Sequence, residues 1–257
     1  MMIQSLFAPA RCALETLVRL LFPPLCYSCG VLLPPRCHAV CPECHRAIER
    51  VFPSDPLFTV ASERLCADCS VDALVTVFRF TQGRELERLL HQLKYGNAPG
   101  IGVWLGEQVG RILASNGECR RIDCILPMPL HPVKQRERGY NQSGMIARGI
   151  SPAVGARVYT GIVRRIRHTA SQTRLGCDAR RANVEGAFAV APGRMRDIAR
   201  RSVLLVDDVI TTGATMRSCA RVLRSAGASR IVAASAAIAD LDRLRGGDFP
   251  SEKGIPG

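Results

Sequence analysis

The 257-residue sequence lacks an apolar run long enough to cross a membrane. Its N-terminal apolar stretch, residues 3–25, is interrupted by Arg11, Glu15, Arg19 and three prolines, whereas a spanning helix needs about 20 consecutive, mainly apolar residues. A secretory signal, with its basic, apolar and cleavage regions, is also missing. We therefore expect a cytoplasmic protein with no membrane span. Residues 1–22 are predicted to form a short amphipathic helix, with a frayed tail as the alternative.

Acidic residues are scarce relative to basic ones. The chain has 22 Asp and Glu against 35 Lys and Arg, so its formal net charge is +13. This balance favours anionic partners such as nucleotides, phosphates or nucleic acid, although a solvated basic surface has the same composition. The content of 47% hydrophobic and 22% charged residues is typical of a globular protein, and the length suffices for one large core and a small module.

Six of the 12 cysteines form three Cys-x-x-Cys pairs. The first two pairs are separated by eleven residues, a pattern in which two tight turns supply four thiolates to one tetrahedral Zn²⁺. The predicted ligands are Cys26, Cys29, Cys41 and Cys44. The third pair, Cys66 and Cys69, either shares that ion or belongs to a second site with Cys37, His38 or His45. A redox role is the weaker alternative, since none of the pairs opens a helix after a strand.

The stretch Val203–Thr215 combines three features. Residues 203–206 form an apolar run that predicts a buried strand of a parallel sheet, and Asp207 and Asp208 stand where that strand should end. The next loop leads into a helix with one apolar face, and its backbone N–H groups and dipole suit a phosphate. The two acids would repel that phosphate and instead suit sugar hydroxyls or Mg²⁺. The predicted phosphate-binding residues are Thr211, Thr212, Gly213, Ala214 and Thr215.

A second cationic stretch comes after another predicted strand, residues 122–126. Pro127 to Leu130 must turn, and the basic residues beyond them suit a diphosphate because arginine gives planar, charge-assisted donors. The predicted contacts in this stretch are Arg136, Arg138, Asn141 and Gln142, and Lys94, at the end of an earlier predicted helix, is predicted to join them. The very basic segment 158–181 is predicted to be a lid over this site, with a surface arm or a nucleic-acid contact as alternatives.

The remaining pattern predicts an α/β domain. A strand is expected at residues 74–80 and another at 231–237, with helices after Gly83, at 101–113 and at 142–153. Residues 51–64 are predicted to be a loop. The predicted divisions are 1–22 for the N-terminal segment, 23–72 for the zinc-ribbon module, 73–245 for the α/β domain and 246–257 for a flexible tail.

These motifs together resemble the ComF family, over residues 26–237. The supporting pieces are Cys26-Tyr27-Ser28-Cys29, Cys41-Pro42-Glu43-Cys44, Leu93-Lys94-Tyr95, Pro127-Met128-Pro129-Leu130, Arg138-Gly139-Tyr140-Asn141-Gln142, Thr169-Ala170-Ser171-Gln172-Thr173, Arg180-Arg181-Ala182-Asn183-Val184 and the acidic motif. The resemblance implies a zinc ribbon before a type I phosphoribosyltransferase-like domain, whose mostly parallel sheet is flanked by helices. Families of this kind often have a double ribbon, but no further Cys-x-x-Cys occurs between Cys44 and Cys66.

The same resemblance implies binding of phosphoribosyl diphosphate (PRPP) with Mg²⁺ and a link to DNA uptake and natural transformation. Asp207 and Asp208 would hold the ribose hydroxyls, directly or through Mg²⁺, while residues 211–215 would bind the 5′-phosphate. One expectation is a phosphoribosyltransferase with an unidentified acceptor, since the sequence offers no obvious base for a nucleophile. The alternative is a non-catalytic PRPP- or nucleotide-binding protein that acts with single-stranded DNA or competence proteins.

Overall fold

A computed structural model describes residues 23–115, 117, 121–166 and 186–240. Three predicted features fall outside these residues, namely the N-terminal segment 1–22, much of the predicted lid and the tail 246–257. The chain divides into two compact units, Met1–Ala47 and Ile48–Gly257.

The described part of the small unit consists of two turns and a short helix. Leu25 and Leu32 form an antiparallel bridge across the first turn, where Gly30 has a positive φ of 74°. Helix α1 (Pro42–Ala47) begins within the second Cys-x-x-Cys pair. Cys26 and Cys41 are buried between the two turns, so the small unit is centred on its sulfur atoms.

The larger unit contains a parallel sheet, as predicted. Its strands are β1 (Ala73–Val75), β2 (Phe78–Phe80), β3 (Cys124–Pro127), β4 (Arg157–Val158), β7 (Ser202–Ile210) and β8 (Arg230–Ala239). The order is β1-β8-β7-β3-β4, and β2 also pairs with β8. Strands β5 (Val163–Arg165) and β6 (Phe188–Val190) form a separate antiparallel pair. The centre of the sheet is β7, whose residues 202–206 are buried, as expected for a strand covered on both faces.

Helices cover the sheet at the places where apolar residues recur at helical spacing. They are α3 (Glu85–Tyr95), α4 (Pro99–Ser115), α6 (Gln142–Val154) and α7 (Ala214–Ser225), whereas the short helix α5 (Pro132–Arg138) has no buried residue. The predicted apolar face of α7 is confirmed, because Met216, Cys219, Ala220 and Leu223 are buried. Within the described residues, none of the helices is long and apolar enough to traverse a bilayer.

Two stretches differ from the sequence prediction. The loop predicted at residues 51–64 is wrong, because α2 (Pro56–Cys66) occupies most of them: Asp55 caps its first turn through Leu57 N–H, and Pro56 fits the first helical position. Leu57, Ala61 and Leu65 pack into the core of the larger unit, so the chain divides after residue 47 instead of near residue 72. The predicted strand 74–80 is split, because the Val77 carbonyl accepts a hydrogen bond from Val51 N–H outside the sheet.

Helices α4 and α6 pack with their backbones in direct contact. A methyl group at Gly106 would lie 2.0 Å from the Ile146 carbonyl oxygen, and one at Gly149 would lie 2.0 Å from the Val103 carbonyl oxygen. Both distances are far below van der Waals contact, so even alanine would force the helices apart.

We therefore expect Gly106→Ala to destabilise the fold by about 3 kcal/mol, the upper end for overpacking, which corresponds to a fall in Tm of about 6–12 °C. Gly144→Ala in α6 is the matched control, since its methyl group would meet Asn141 Cβ at an ordinary 3.5 Å and alanine favours helix. Thermal unfolding of both variants tests the prediction, and an equal Tm for the two would refute it.

Candidate functional site

The acidic pair lies at the carboxyl edge of the sheet. Strand β7 was expected to end at Val206, yet it continues through Asp207 and Asp208 to Ile210. The reason is one-sided pairing: β8 continues beside it, with Asp207 opposite Ser235 and Ile210 opposite Ile238, whereas the ladder with β3 stops at Val206. Beyond Val206, β7 is therefore paired on its β8 side and no longer on its β3 side.

Each carboxylate already has a partner from a different element. Ser143 in the first turn of α6 donates its hydroxyl to Asp207 Oδ1 at 3.0 Å. Lys94 in the last turn of α3 places its Nζ 3.1 Å from Asp208 Oδ2. The side chains of this ion pair are 30% and 18% exposed, so the pair is partly shielded from water but remains reachable by a ligand.

The two acids differ in their pKa values. Burial raises the pKa of Asp207 to about 7, and the neighbouring charge of Asp208 acts in the same direction. Burial also opposes ionisation of Asp208, but the adjacent ammonium of Lys94 outweighs it and lowers the pKa of that carboxyl. The charge of Asp208 in turn raises the pKa of Lys94. Near neutral pH, Asp208 and Lys94 thus form a closed ion pair while Asp207 is close to its titration point.

This difference gives a prediction for the stability of Asp207→Asn. Because the folded-state pKa of Asp207 is raised, the folded parent holds a proton that the unfolded chain has lost. The stability that this bound proton contributes is fully present below the ordinary pKa of an aspartate. It is lost as pH rises from there towards about 7. Asparagine keeps the hydrogen bonds without a charge. We expect its Tm to exceed that of the parent by about 2–4 °C above pH 7.5 and the difference to shrink towards pH 5. A Tm difference independent of pH would contradict this.

The predicted phosphate loop directly follows the acids and leads into α7. Gly213 has φ 70° at the helix N-cap, and a side chain there would lie 2.9 Å from Leu65 Cδ2. Both its conformation and the close approach of Leu65 require glycine. Ala214 N–H donates to Thr212 Oγ1 at 3.4 Å. Since the first N–H groups of a helix have no partner within it, this turn presents donors at the carboxyl edge.

The predicted diphosphate residues divide into two groups. Asn141 is structural, because it accepts from Gly144 N–H and donates to the Met128 carbonyl at 2.9 Å. Gln142 is buried and accepts from Arg138 at 3.1 Å. These two residues therefore hold the start of α6 to the end of β3 and position the cation beside them.

Arg138 belongs to the charged group around the acids. Its guanidinium lies 5.2 Å from the centre of the Tyr95 ring and donates to the Tyr95 hydroxyl at 3.4 Å. Tyr95 is the residue after Lys94. Its charge contributes to the lowered pKa of Asp208. Arg136 is exposed on α5. Ser143 and Tyr95 were not predicted as site residues, and both are immediate neighbours of residues that were.

The antiparallel pair of β5 and β6 carries a cation that interacts with one of the acids. It flanks residues 167–185, which contain most of the predicted lid and lie outside the described residues. Arg165 of β5 lies 5.7 Å from the centre of the Phe188 ring, and its charge interacts with Asp207. One strand of this hairpin therefore carries a cation within electrostatic range of the site.

A four-thiol cluster in the small unit can hold a metal ion. The Sγ atoms of Cys26, Cys29, Cys41 and Cys44 all lie within 4.8 Å of one another, and Cys29 and Cys41 are 3.8 Å apart. Four sulfur atoms around a tetrahedral Zn²⁺ at 2.3 Å would be separated by about 3.8 Å. Backbone N–H groups of Cys41 and Cys44 point at two of the sulfurs. The donor set therefore fits the metal. Cys66 and Cys69 belong to the larger unit.

The stretch around the acidic pair matches a known domain family, and longer parts of the chain match known proteins. Residues 159–252 match the phosphoribosyl transferase domain family, a region that includes β7, the acidic pair, the loop and α7. Competence protein F of Haemophilus influenzae is 29% identical over 178 residues, covering 65% of this chain and 75% of that protein. The DNA utilization protein YhgH of Escherichia coli is 29% identical over 223 residues, covering 81% and 94%, and that of Salmonella typhimurium is 27% identical over 221 residues, covering 81% and 94%.

Among solved structures, the glutamine PRPP amidotransferase of B. subtilis matches with a TM-score of 0.38 and 19% identity. The match covers 56% of this chain and only 30% of that enzyme, so the likeness is confined to part of each chain. The domain match, the parallel sheet with its acidic pair and the cysteine cluster agree with one another. The chain is therefore similar to competence protein F and YhgH, and its residues 159–252 match the phosphoribosyl transferase domain family within a mostly parallel sheet flanked by helices.

Proposed function

We propose that the carboxyl edge of the sheet binds PRPP with Mg²⁺ and transfers its phosphoribosyl group to an acceptor. The observation that supports this most directly is the pair of partly shielded acids, set beside two cations and followed by a phosphate-type turn. One edge of the sheet thus offers complementary groups for three parts of the ligand, which are a ribose, a 5′-phosphate and a diphosphate.

The 5′-phosphate would sit on the turn 211–215. This turn ends at the N-terminus of the 12-residue helix α7, so N–H donors and the helix dipole favour an anion there. The hydroxyls of Thr211, Thr212 and Thr215 add further donors. All three side chains are half-buried, which limits competition from water.

The ribose would contact the acids. Asp207 and Asp208 would accept hydrogen bonds from its 2- and 3-hydroxyls or would contact them through a shared Mg²⁺. The bound Mg²⁺ would also neutralise part of the diphosphate charge. Ser143 and Lys94 hold the two carboxylates in place before the ligand arrives. Such preorganisation lowers the ordering cost of binding.

The diphosphate would face the cations Lys94, Arg136 and Arg138, with Asn141 and Gln142 as their support. Departure of diphosphate from the anomeric carbon leaves a cationic sugar, so the protein's contribution is to position the acceptor, stabilise the leaving charge and exclude water. A non-catalytic PRPP- or nucleotide-binding role is the alternative. The names of the relatives matched over 81% of the chain favour it, since they refer to DNA utilization rather than to a transferase.

The other assignments rest on the same set of observations. We propose structural Zn²⁺ for the four-thiol cluster, a cytoplasmic location because thiolates stay available for metal in a reducing compartment, and a role in DNA uptake with single-stranded DNA or competence proteins as partners. The names of the relatives and the chain's net charge of +13 support that last assignment.

The test of the ligand is a thermal shift. Saturating PRPP with Mg²⁺ should raise Tm, since a ligand at 100 times its Kd stabilises the folded state by about 2.7 kcal/mol. Ribose 5-phosphate, which lacks the diphosphate, should give a smaller shift. Absence of any shift with PRPP would refute both the catalytic and the binding role, and diphosphate release in the presence of candidate acceptors would separate transfer from binding alone.

A further inference from the structure

The third Cys-x-x-Cys pair closes a turn at the end of helix α2. Cys66 is the last residue of α2, and the Cys69 N–H donates to the Cys66 carbonyl at 2.9 Å. A hydrogen bond between residues three apart brings their Cα atoms to within about 7 Å, and disulfides join Cα atoms that are about 4.4–6.8 Å apart. The backbone of this turn therefore already has the spacing that an intramolecular disulfide needs.

The two thiols of the turn differ in their access to solvent. Cys69 is exposed, whereas Cys66 is partly buried, so an oxidant meets Cys69 first. Burial raises the pKa of the Cys66 thiol, and the charges of Asp72, Asp68 and Cys69 act in the same direction, which places Cys69 within electrostatic range of Cys66. Cys69 also has a φ of 54°, in the left-handed region that glycine and asparagine adopt at lower cost. The turn thus carries a cysteine where the backbone favours another residue.

Three arginines of α7 hold the segment that contains this turn. They follow one another at helical spacing and so share one face of the helix. Each contacts a different part of the segment, and the contacts are Arg217 with the Arg64 carbonyl, Arg221 with Asp68 at 3.6 Å and Arg224 with Asp72. Asp68 also accepts from the N–H and the hydroxyl of Ser70, at 3.1 and 2.6 Å. The turn and α7 are therefore joined by polar contacts along the length of the helix.

The same segment touches the phosphate-type turn. Leu65, the residue before Cys66, packs so closely on Gly213 that a Cβ there would lie 2.9 Å from Leu65 Cδ2. Leu65 is 1% exposed, and Gly213 is the N-cap of α7. Because close-packed interiors transmit strain, a change in the path of residues 65–69 would also displace the start of α7.

We infer that Cys66 and Cys69 are a site of reversible oxidation by low-molecular-weight disulfides such as glutathione disulfide, and that the protein disulfide weakens ligand binding at the phosphate-type turn. The second half of this inference rests on the proposed PRPP function. Bond formation draws the two side chains together, and Leu65 at the end of α2 moves with them. The turn 211–215 then loses the contact that supports Gly213. Exposed disulfides belong to the labile, regulatory class, so reduction readily reverses the change.

The oxidation takes two exchange steps. The Cys69 thiolate attacks one sulfur of glutathione disulfide, which forms a mixed disulfide and releases one glutathione thiolate. The Cys66 thiol then loses its proton to solvent and attacks the Cys69 sulfur, which releases the second glutathione thiolate. Two protein thiols are thus oxidised to one disulfide, while one glutathione disulfide is reduced to two thiols.

The test exposes the full chain to glutathione buffers with an increasing share of glutathione disulfide. Tryptic cleavage after Arg64 and Arg79 gives the peptide 65–79, which contains Cys66 and Cys69 and no other cysteine. In the oxidised chain this peptide should lack two hydrogens and resist alkylation. Isothermal titration should then show at least a fivefold loss of PRPP affinity, the lower end of the range of about 5–150-fold for coupled sites, and dithiothreitol should restore it.

Two cysteine variants serve as controls. Cys69→Ser should keep the PRPP affinity of the reduced parent in every buffer, whereas Cys37→Ser, which removes a partly buried thiol of the small unit, should respond like the parent. A peptide 65–79 that stays reduced or carries only glutathione adducts would overturn the inference. Loss of bound Zn²⁺ in step with its oxidation would do the same, because the pair would then be a metal ligand. Unchanged PRPP affinity in the oxidised parent would overturn the coupling.

Hydrogen exchange distinguishes failure of this inference from failure of the proposed function. The Arg217 N–H donates to the Gly213 carbonyl at 2.9 Å, so its exchange rate reports on the start of α7 without any ligand. Oxidation should speed this exchange in the parent and leave it unchanged in Cys69→Ser. If neither redox form binds PRPP, the proposed function fails, and equal exchange in the oxidised and reduced parent would then overturn the coupling independently.

Discussion

The double variant Asp207→Asn/Asp208→Asn is expected to lose the PRPP-induced rise in Tm. Hydrogen bonds to charged groups are worth about 1.5–3 kcal/mol each, so removing both carboxylates should weaken PRPP binding by at least 100-fold. In the variant, Lys94 also loses the partner that holds it 3.1 Å away. The loss thus includes positioning of a diphosphate contact as well as the ribose contacts themselves.

The matched control removes two acids to which no ligand contact is assigned. Glu49→Gln/Asp197→Asn eliminates one partner from each of two ion pairs, Arg79–Glu49 and Arg194–Asp197, and should keep the full PRPP shift. Isothermal titration with PRPP and Mg²⁺ gives the Kd of the parent and of both variants. A PRPP affinity in the acid-pair variant within threefold of the parent would exclude these residues from the ligand site.

The second large effect concerns the four-thiol cluster. Cys26→Ser/Cys29→Ser should abolish binding of one Zn²⁺ per chain, because two of the four ligands that meet within 4.8 Å are removed. Binding of Zn²⁺ contributes about 10–16 kcal/mol to the folding of zinc-finger peptides. The described part of the small unit should therefore unfold. Metal analysis gives the stoichiometry, and hydrogen exchange should show lost protection at the amides of Tyr27, Gly30 and Cys41, which are hydrogen-bonded in the parent.

Cys66→Ser/Cys69→Ser is the control for that experiment and also tests the third pair. Burial raises the pKa of Cys66, and Cys69 has a positive φ in a turn closed by its N–H on the Cys66 carbonyl. If the first two pairs bind zinc on their own, this variant keeps its full metal content. Loss of metal here would show that the third pair contributes ligands, and retention of metal in Cys26→Ser/Cys29→Ser would refute the four-thiol assignment.

Features set by neighbouring residues could be predicted from the sequence. The helix after Gly83 and the apolar face of α7 were predicted correctly, because helical periodicity decides which side is buried. The Cys-x-x-Cys turns also came together as their spacing indicated. Helix α2 was missed, although Asp55-Pro56 is a helix-start signal, since two prolines and mixed polarity suggested a loop.

Features set by distant residues could not be predicted. The length of β7 depends on continued pairing with β8, which local sequence does not encode. Ser143 and Asp207 are 64 positions apart in the chain. They meet because α6 begins beside the end of β3, which local sequence does not show. Likewise the functions of Asn141 and Gln142 as supports became visible once their partners Met128 and Arg138 were known.

The glycine contact between α4 and α6 also limits how the site can be altered. With no room for a methyl group at Gly106 or Gly149, the two helices cannot slide or rotate to suit a new substrate, and Ser143 at the start of α6 is fixed with them. Directed evolution of ligand preference should accordingly recover changes in the connecting segments, residues 128–141 and 211–213, and almost none along the two helices.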